Sequence, residues 1–415
     1  MEGIDVMDTR EAALKLHKDN QGKLAVISKV PLVNRYDLSI AYTPGVAEPC
    51  KDIKANKDLS FELTCRGNMV AVVSDGTRVL GLGDIGPEAA MPVMEGKSVL
   101  FKVFGDVDAV PICLDTKDPE KIIETVRLLQ PSFAGINLED ISSPKCYDIE
   151  DRLKEIMDIP VFHDDQHGTA IAGVAAVVGA LRLVKKDLKT AKIVVNGAGA
   201  AGSAIGRLLV VAGAENVIMV EVNGALYDGM PNLNRIQAEL ARNTNKGKLT
   251  GKLPEVAAGA DVLIGVSAAG SFTPDIIKSM NTDAVVIAMA NPVPEISYAD
   301  AKAAGARVAG TGRSDAPNQV NNVTVFPGVF RGAMDVRARQ INEAMKLAAT
   351  YAIANLIDDK DLRDDYVVPD AFDPRVAPAV ASAVAKAAIE TGVARINIDP
   401  ETIRANTASR VKIGK

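Results

Sequence analysis

Aromatic residues make up only 4% of this 415-residue chain and tryptophan is absent, so its core cannot be organised around large rings. Alanine, valine and glycine must fill it instead, as in an ordinary globular α/β protein. Cysteine is scarce too: Cys50, Cys65, Cys113 and Cys146 lack any Cys-x-x-Cys spacing, which excludes a zinc ribbon or disulfide scaffold and reads them as small core residues. The net charge of −6 is spread along the chain, and no basic block could neutralise a run of phosphates, so nucleic acid is not an expected partner. Acids in Met1-Glu2-Gly3-Ile4-Asp5 stand where a leader peptide needs basic residues before an apolar stretch. No run is read as long enough to span a bilayer, so the chain is expected to work in the cytoplasm, off the membrane. Internal repeats and low-complexity tracts are missing as well.

A chain of this length exceeds what one hydrophobic core usually supports, so two domains sharing a cleft are expected. Asp8-Thr9-Arg10-Glu11 resembles a capping box opening a short helix to about His17. Strands are predicted at Met69–Ser74, Arg78–Gly81, Ala109–Leu114 and Ala134–Leu138, with helices at Ala89–Phe101 and Pro119–Leu129. An Ala/Val-rich run from Gly168 to Val184 is apolar nearly all round and marks a buried helix joining the halves. Beyond it, strand-like runs recur at Ile193–Asn196, Val217–Val222, Val262–Val266, Ala284–Ala288, Val308–Gly310 and Val323–Phe326. Helices are expected at Met334–Ile357 and Val376–Thr391. The alternation predicts an α/β protein: a Rossmann-type doubly wound parallel sheet plus a smaller N-terminal α/β domain. The division expected is 1–161 for the substrate and catalytic domain, 162–389 for dinucleotide binding, and 390–415 for a tail packed on the body or on a partner subunit.

Gly197-Ala198-Gly199-Ala200-Ala201-Gly202 follows an apolar strand and opens a helix, the context in which such glycines cradle a pyrophosphate at a helix N-terminus. Glu221 ends the next strand, where a carboxylate receives ribose hydroxyls and repels a 2′-phosphate, so NAD is favoured and NADP left open. A second glycine run, Gly81-Leu82-Gly83-Asp84-Ile85-Gly86, lacks such a strand and is read as a tight turn that lets backbone approach a neighbour. Two acidic pairs remain, Glu139-Asp140 after a strand and Asp164-Asp165 before the buried helix. Each alone reads as a solvated cap; converging on one cleft, they would make a hard-oxygen site for Mg²⁺ or Mn²⁺.

The segments Ala41–Val46, Leu80–Gly86, Glu95-Gly96-Lys97, Leu138-Glu139-Asp140, His163–Ala170, Ala290-Asn291-Pro292 and Asn321–Gly328, in that order, resemble the malic enzyme family in its small prokaryotic form. The resemblance implies oxidative decarboxylation of L-malate to pyruvate and CO₂ with NAD(P) and a divalent metal. It implies Tyr42 as general acid, Lys97 as general base, and Asp164 as a residue behind the metal ligands or a helper of that base; Lys97 can take the hydroxyl proton if burial near the cation lowers its pKa. Glu139, Asp140 and Asp165 would hold the metal. Arg78, Asn291, Asn321 and Asn322 would contact substrate, Asn291 also facing the nicotinamide, with the choice between Asn321 and Asn322 left open. A homodimer or homotetramer with the active site near an interface is implied as well. One departure stands out: where the family's strand motif continues Asp-x-Lys-Gly, this chain reads Glu221-Val222-Asn223-Gly224. The competing readings are a non-decarboxylating dehydrogenase of a small acid or amino acid, and a nucleotide-binding regulator without turnover.

Overall fold

The computed structural model describes residues 6–411 and residue 413; the acidic start at Met1–Asp5 lies outside them. Two sheets organise the chain. The first is parallel, in the order β2-β1-β3-β4, with β1 at Met69–Ser74, β2 at Asp108–Cys113, β3 at Gly135–Leu138 and β4 at Val161–His163. Helices Pro87–Gly105, Pro119–Leu129 and Lys145–Ile156 make its three crossovers. The buried run Val70–Val73 is apolar at every position, as a parallel strand covered on both faces requires.

The second sheet comprises β5 Ile193–Asn196, β6 Val217–Glu221, β7 Gly224–Ala225, β8 Val262–Gly265, β9 Val285–Ala288 and β10 Val308–Thr311. Its order is β10-β9-β8-β5-β6-β7, parallel except for the β6–β7 hairpin. Strand order reverses at β5, which is flanked by β6 and β8, and in such sheets ligands bind beyond the strand C-termini at that switch point. The α/β architecture and the Rossmann-like sheet are therefore as expected.

The helix Asp164–Val184 starts directly after β4 and runs into the second half, packed against the Ala200–Val211 helix. By length and composition it is apolar enough to cross a membrane, which corrects the expectation that no such run exists. Its residues Ala170–Leu181 are nevertheless buried, as in a core helix. Small residues allow its close packing, since a Cβ on Gly179 would lie 2.1 Å from the carbonyl oxygen of Val367.

Several local expectations give way to tertiary context. Arg78–Gly81 is a turn closed by a single Val79–Gly83 bridge, not a strand. Asp8 lies inside a helix that already begins at Val6, so it is no cap. Val323–Phe326, β-branched and strand-like, instead forms the helical turn Asn322–Thr324 and the start of a helix at Phe326, because the Asn321 side chain caps the Val323 amide and Pro327 suits a first helical turn. The helix expected over Met334–Ile357 is two, Phe326–Asp335 and Glu343–Ala354, broken where Arg337 takes φ 48°. A short strand at β4 and a last helix, Pro400–Arg410, were not foreseen. Of the cysteines only Cys146 is a core residue; Cys50 and Cys65 are exposed.

Gly179→Ala is expected to destabilise the protein by at least ~1–3 kcal/mol, the usual scale of overpacking, read as a lower denaturant midpoint. A wild-type midpoint would refute the close approach of this helix to Val367.

Candidate active site

A cleft of about 920 Å³ lies between the two halves and is lined from both. Arg78, Leu80, Lys97, Glu139, Asp140 and Asp165 face it from one side, and Gly199–Ala201, Val266, Ser267, Met289–Asn291, Asn321 and Asn322 from the other. Segments as far apart in the chain as Arg78 and Asn322 thus meet at the switch point of the second sheet.

Glu139 and Asp140 leave the end of β3, and Asp140 takes the left-handed conformation at φ 54°, which a short polar side chain tolerates. Its carbonyl receives the Arg78 amide at 3.0 Å, and its own amide donates to Asp165 Oδ2 at 2.8 Å. One oxygen each from Glu139, Asp140 and Asp165 can be chosen with all three within 4.8 Å of one another. Asp140 Oδ2 is buried without a hydrogen-bond partner. An orphaned carboxylate oxygen beside two other acids, all hard acceptors, suits a divalent cation such as Mg²⁺ or Mn²⁺.

Lys97, on the Pro87–Gly105 helix, enters this cluster. Its Nζ lies 2.6 Å from Asp164 Oδ2 and 2.9 Å from Glu139 Oε1, above the Phe326 ring at 4.3 Å. Asp164 is fully buried behind Lys97 and also receives the Asn322 amide. Gly168, one turn further along, leaves room for that carboxylate, since a Cβ there would fall 1.9 Å from Asp164 Oδ1.

These acids disturb one another. Burial, followed by repulsion from Asp165, raises Asp140 to about 8, and burial also carries Glu139 well above the carboxylate range despite the pull of Lys97. Asp164 is raised by its burial as well. Burial would raise Asp165, but His163, 3.2 Å away, and the Asp140 amide hold it low. Burial would likewise lower Lys97, yet Asp164 and Glu139 outweigh it and raise the ammonium above its usual value. Burial by itself therefore does not lower Lys97, because two carboxylates touch its Nζ.

The dinucleotide turn has the expected form. Gly197, at φ 109°, closes the turn after β5, and a Cβ on Gly202 would lie 1.8 Å from the Gly197 oxygen, so only glycine lets helix meet strand there. Nothing lies within 4 Å of a Cβ on Gly199, which leaves the backbone open to the cleft beside Ala200 and Ala201. Glu221 Oε1 accepts the Ala198 amide at 2.9 Å, placing the carboxylate at the edge of the turn. The other glycine run is a tight turn against a neighbour, as expected: a Cβ on Gly81 would lie 2.6 Å from Pro292 Cδ.

Tyr42 is the residue the chain does not bring in. It follows the Arg35–Ala41 helix, is 67% exposed, and is not among the residues lining the cleft. Asn321 and Asn322 both line it, but the amide of Asn322 is committed to Asp164 while Asn321 Oδ1 caps Val323. His163 drew no role from the sequence, although it stands directly before the acidic pair at a strand end, which is the signal that marks it.

Comparison with known proteins supplies the context. Residues 21–154 match the family model described as malic enzyme, N-terminal domain, and residues 166–389 the model described as malic enzyme, NAD binding domain. The chain is 58% identical over 410 residues to the bifunctional malic/malolactic enzyme of Bacillus subtilis, spanning 99% of this chain and 100% of that one. It is 52% identical to an NAD-dependent malic enzyme of Geobacillus stearothermophilus, over 95% of this chain and 82% of that protein. The crystal structure of a malic enzyme from Pyrococcus horikoshii superposes with a TM-score of 0.94 at 47% identity, over 97% of this chain and 96% of that one.

The raised carboxyl of Asp140 has a pH consequence. Between its ordinary value, 3.8, and about 8 the folded state holds a proton that the unfolded state has lost, so this group subtracts stability progressively as pH rises through that window. A cation bound by ionised oxygens reverses the loss. The melting temperature gained on adding Mn²⁺ is therefore expected to be larger near about pH 8 than near about pH 6, by calorimetry. A gain that is equal at both, or larger at the lower pH, would place the cation elsewhere.

Proposed function

The chain belongs to the malic enzyme family, and on that premise we propose how its residues carry out the family's reaction. It is an NAD(P)-dependent oxidoreductase that converts malate to pyruvate by oxidative decarboxylation. The observation that carries the assignment of roles is Lys97, buried between Asp164 and Glu139 at the cleft wall, on the same cleft as the glycine turn.

Glu139, Asp140 and Asp165 would hold Mg²⁺ or Mn²⁺, and a divalent cation there supplies Lewis-acid polarisation of a substrate oxygen. Lys97 takes the proton of the malate hydroxyl as hydride leaves C2 for the dinucleotide. Asp164, in contact with Lys97 Nζ and itself raised in pKa, receives a proton from the ammonium so that the amine can act; the pair works as one proton relay. Arg78 and Asn321 anchor the substrate carboxylates, Asn291 faces the nicotinamide, and Asn322 steadies Asp164. Residues 1–161 would form the substrate and catalytic unit and 162–389 the dinucleotide unit. Glu221 disfavours a 2′-phosphate, so NAD is the preferred cofactor. The cytoplasm, where nicotinamide dinucleotides are pooled, is its place of work.

The proton for C3, once CO₂ has left, comes from Tyr42 of a second copy. The segment around Tyr42 is covered by little of its own chain: the helix Arg35–Ala41 buries none of its residues, and Val26, Ile27, Val33 and Tyr36 are each more than 70% exposed. A contiguous apolar arm of this kind marks a protein–protein contact, and no tyrosine lines the cleft among the described residues. The arm of one subunit therefore completes the cleft of the other in a homodimer or an assembly built from dimers.

With L-malate and Mn²⁺, NAD is expected to be reduced with matching pyruvate, NADP more slowly, and EDTA to abolish both; metal-independent oxidation giving oxaloacetate would favour a simple dehydrogenase. Tyr42→Phe and Lys97→Ala homodimers should each be nearly inactive. Unfolded together and refolded as mixtures, they should regain part of the wild-type rate, because a hybrid dimer contains one site with both residues intact. No recovery despite hybrid formation would mean that Tyr42 does not act across subunits.

A further inference from the structure

Glu295 sits in the loop after β9 and is fully buried, yet no cation lies within ion-pair distance of it among the described residues. Burying a carboxylate without a counter-ion is costly unless dipoles compensate it. Here they do: Oε1 accepts the Ser267 amide at 2.7 Å and the Ser267 hydroxyl at 3.4 Å, and Oε2 accepts the Ala290 amide at 3.0 Å. Two main-chain bonds run alongside, Phe272 N to Glu295 O at 3.1 Å and Gly270 N to Pro294 O at 3.3 Å. The loops that follow β8 and β9 are thus joined by this side chain together with two main-chain bonds.

Space is reserved for this carboxylate. Gly265 ends β8, and a Cβ there would come within 2.5 Å of Glu295 Cδ, so the strand gives up a side chain to admit it. The network also extends to β5, because Asn196 Nδ2 donates to Ser267 Oγ at 2.7 Å, and Asn196 is the residue before the glycine turn. Three strand ends, those of β5, β8 and β9, are therefore spaced by the Glu295–Ser267–Asn196 chain. Ser267, Ala290 and Asn291 line the cleft on the dinucleotide side.

We propose that Glu295 is a positioning residue for the dinucleotide: its buried carboxylate sets the separation between the Ser267 loop and the Ala290–Asn291 loop, and so the width of the slot that receives the nicotinamide end. This rests on the assignment of the cleft to an NAD(P)-dependent malic enzyme. The carboxylate acts through the two loops and touches no reacting atom. An acceptor on both oxygens is required because the Ser267 and Ala290 amides, one on each, can only donate; an amide would turn its NH₂ against one of them.

The test is titration of reduced dinucleotide into the full-length protein, followed by its fluorescence, with steady-state kinetics alongside. Glu295→Gln, nearly isosteric, is expected to raise the dissociation constant of the reduced dinucleotide roughly tenfold, the scale of one buried donor left unpaired. KM for the dinucleotide should rise in step, with a smaller change in KM for malate. Glu295→Asp, which keeps the charge but withdraws it from Ser267 and Ala290, and Gly265→Ala, which displaces it, should shift the same constant in the same direction. Gly265→Ala and Glu295→Gln combined should show less than the sum of their effects, since both disturb one contact. Folded variants that melt earlier but bind the dinucleotide as wild type does would overturn the proposal, because a purely structural role moves stability alone. If Glu295→Gln does not fold, Glu295→Asp decides on the same readout. Wild-type protein that binds no reduced dinucleotide would overturn the functional assignment and this one with it; wild-type binding with unchanged variants overturns this one alone.

Discussion

The buried ammonium of Lys97 holds the cleft together. It comes from a helix of the first sheet's layer and meets Glu139 at the end of β3 and Asp164 at the start of the long helix that enters the second half. Ions removed from water are tolerated only when paired with good geometry, so the position of this one charge constrains three elements at once. Asp165 follows Asp164 on the same helical turn, and its contact with the Asp140 amide brings the carboxylate triad into register with the lysine. Excess negative charge in the cluster is left as raised proton affinity at Glu139 and Asp140, which a divalent cation would relieve once those oxygens are ionised.

That arrangement depends on close approach of backbones, and the composition permits it. Glycine at 168 admits the Asp164 carboxylate, glycine at 202 lets a helix settle on β5, and glycine at 265 gives its space to Glu295. A chain richer in large side chains would hold these layers further apart. The scarcity of aromatics and the abundance of small residues are thus linked to the site itself: acids, lysine and phosphate-binding turn share one cleft because small residues let the layers meet closely.

The exposed segment before residue 47 follows the opposite logic. Apolar side chains such as Val26, Ile27 and Val33 find no cover on their own chain, whereas the strands behind the cleft are buried. An apolar arm left bare on its own chain is what the proposed action of Tyr42 across subunits requires.

Much was legible in the residue order. Periodicity located every strand except β4 and β7, because valine-rich runs bounded by turns have few alternatives, and the glycine turn with Glu221 at the next strand end was readable from local spacing alone. So were the carboxylates, each placed at the end of a strand or the start of a helix. Where local pattern misled, tertiary contacts had the stronger claim: Val323–Phe326 has strand-forming side chains, but capping by Asn321 and the proline behind it turn the segment helical. The charge state of Lys97 was beyond reach of the sequence, since it depends on Asp164 and Glu139 lying within 3 Å of one nitrogen. The same holds for Tyr42, whose type and motif were evident but whose exposure was not, and for Glu295, an unremarkable acid in the sequence that becomes a buried link between two loops. Spacing along the chain determined which chemical groups the protein owns; only the folded contacts decided which of them face one another, because charge, burial and reach are properties of neighbours in space.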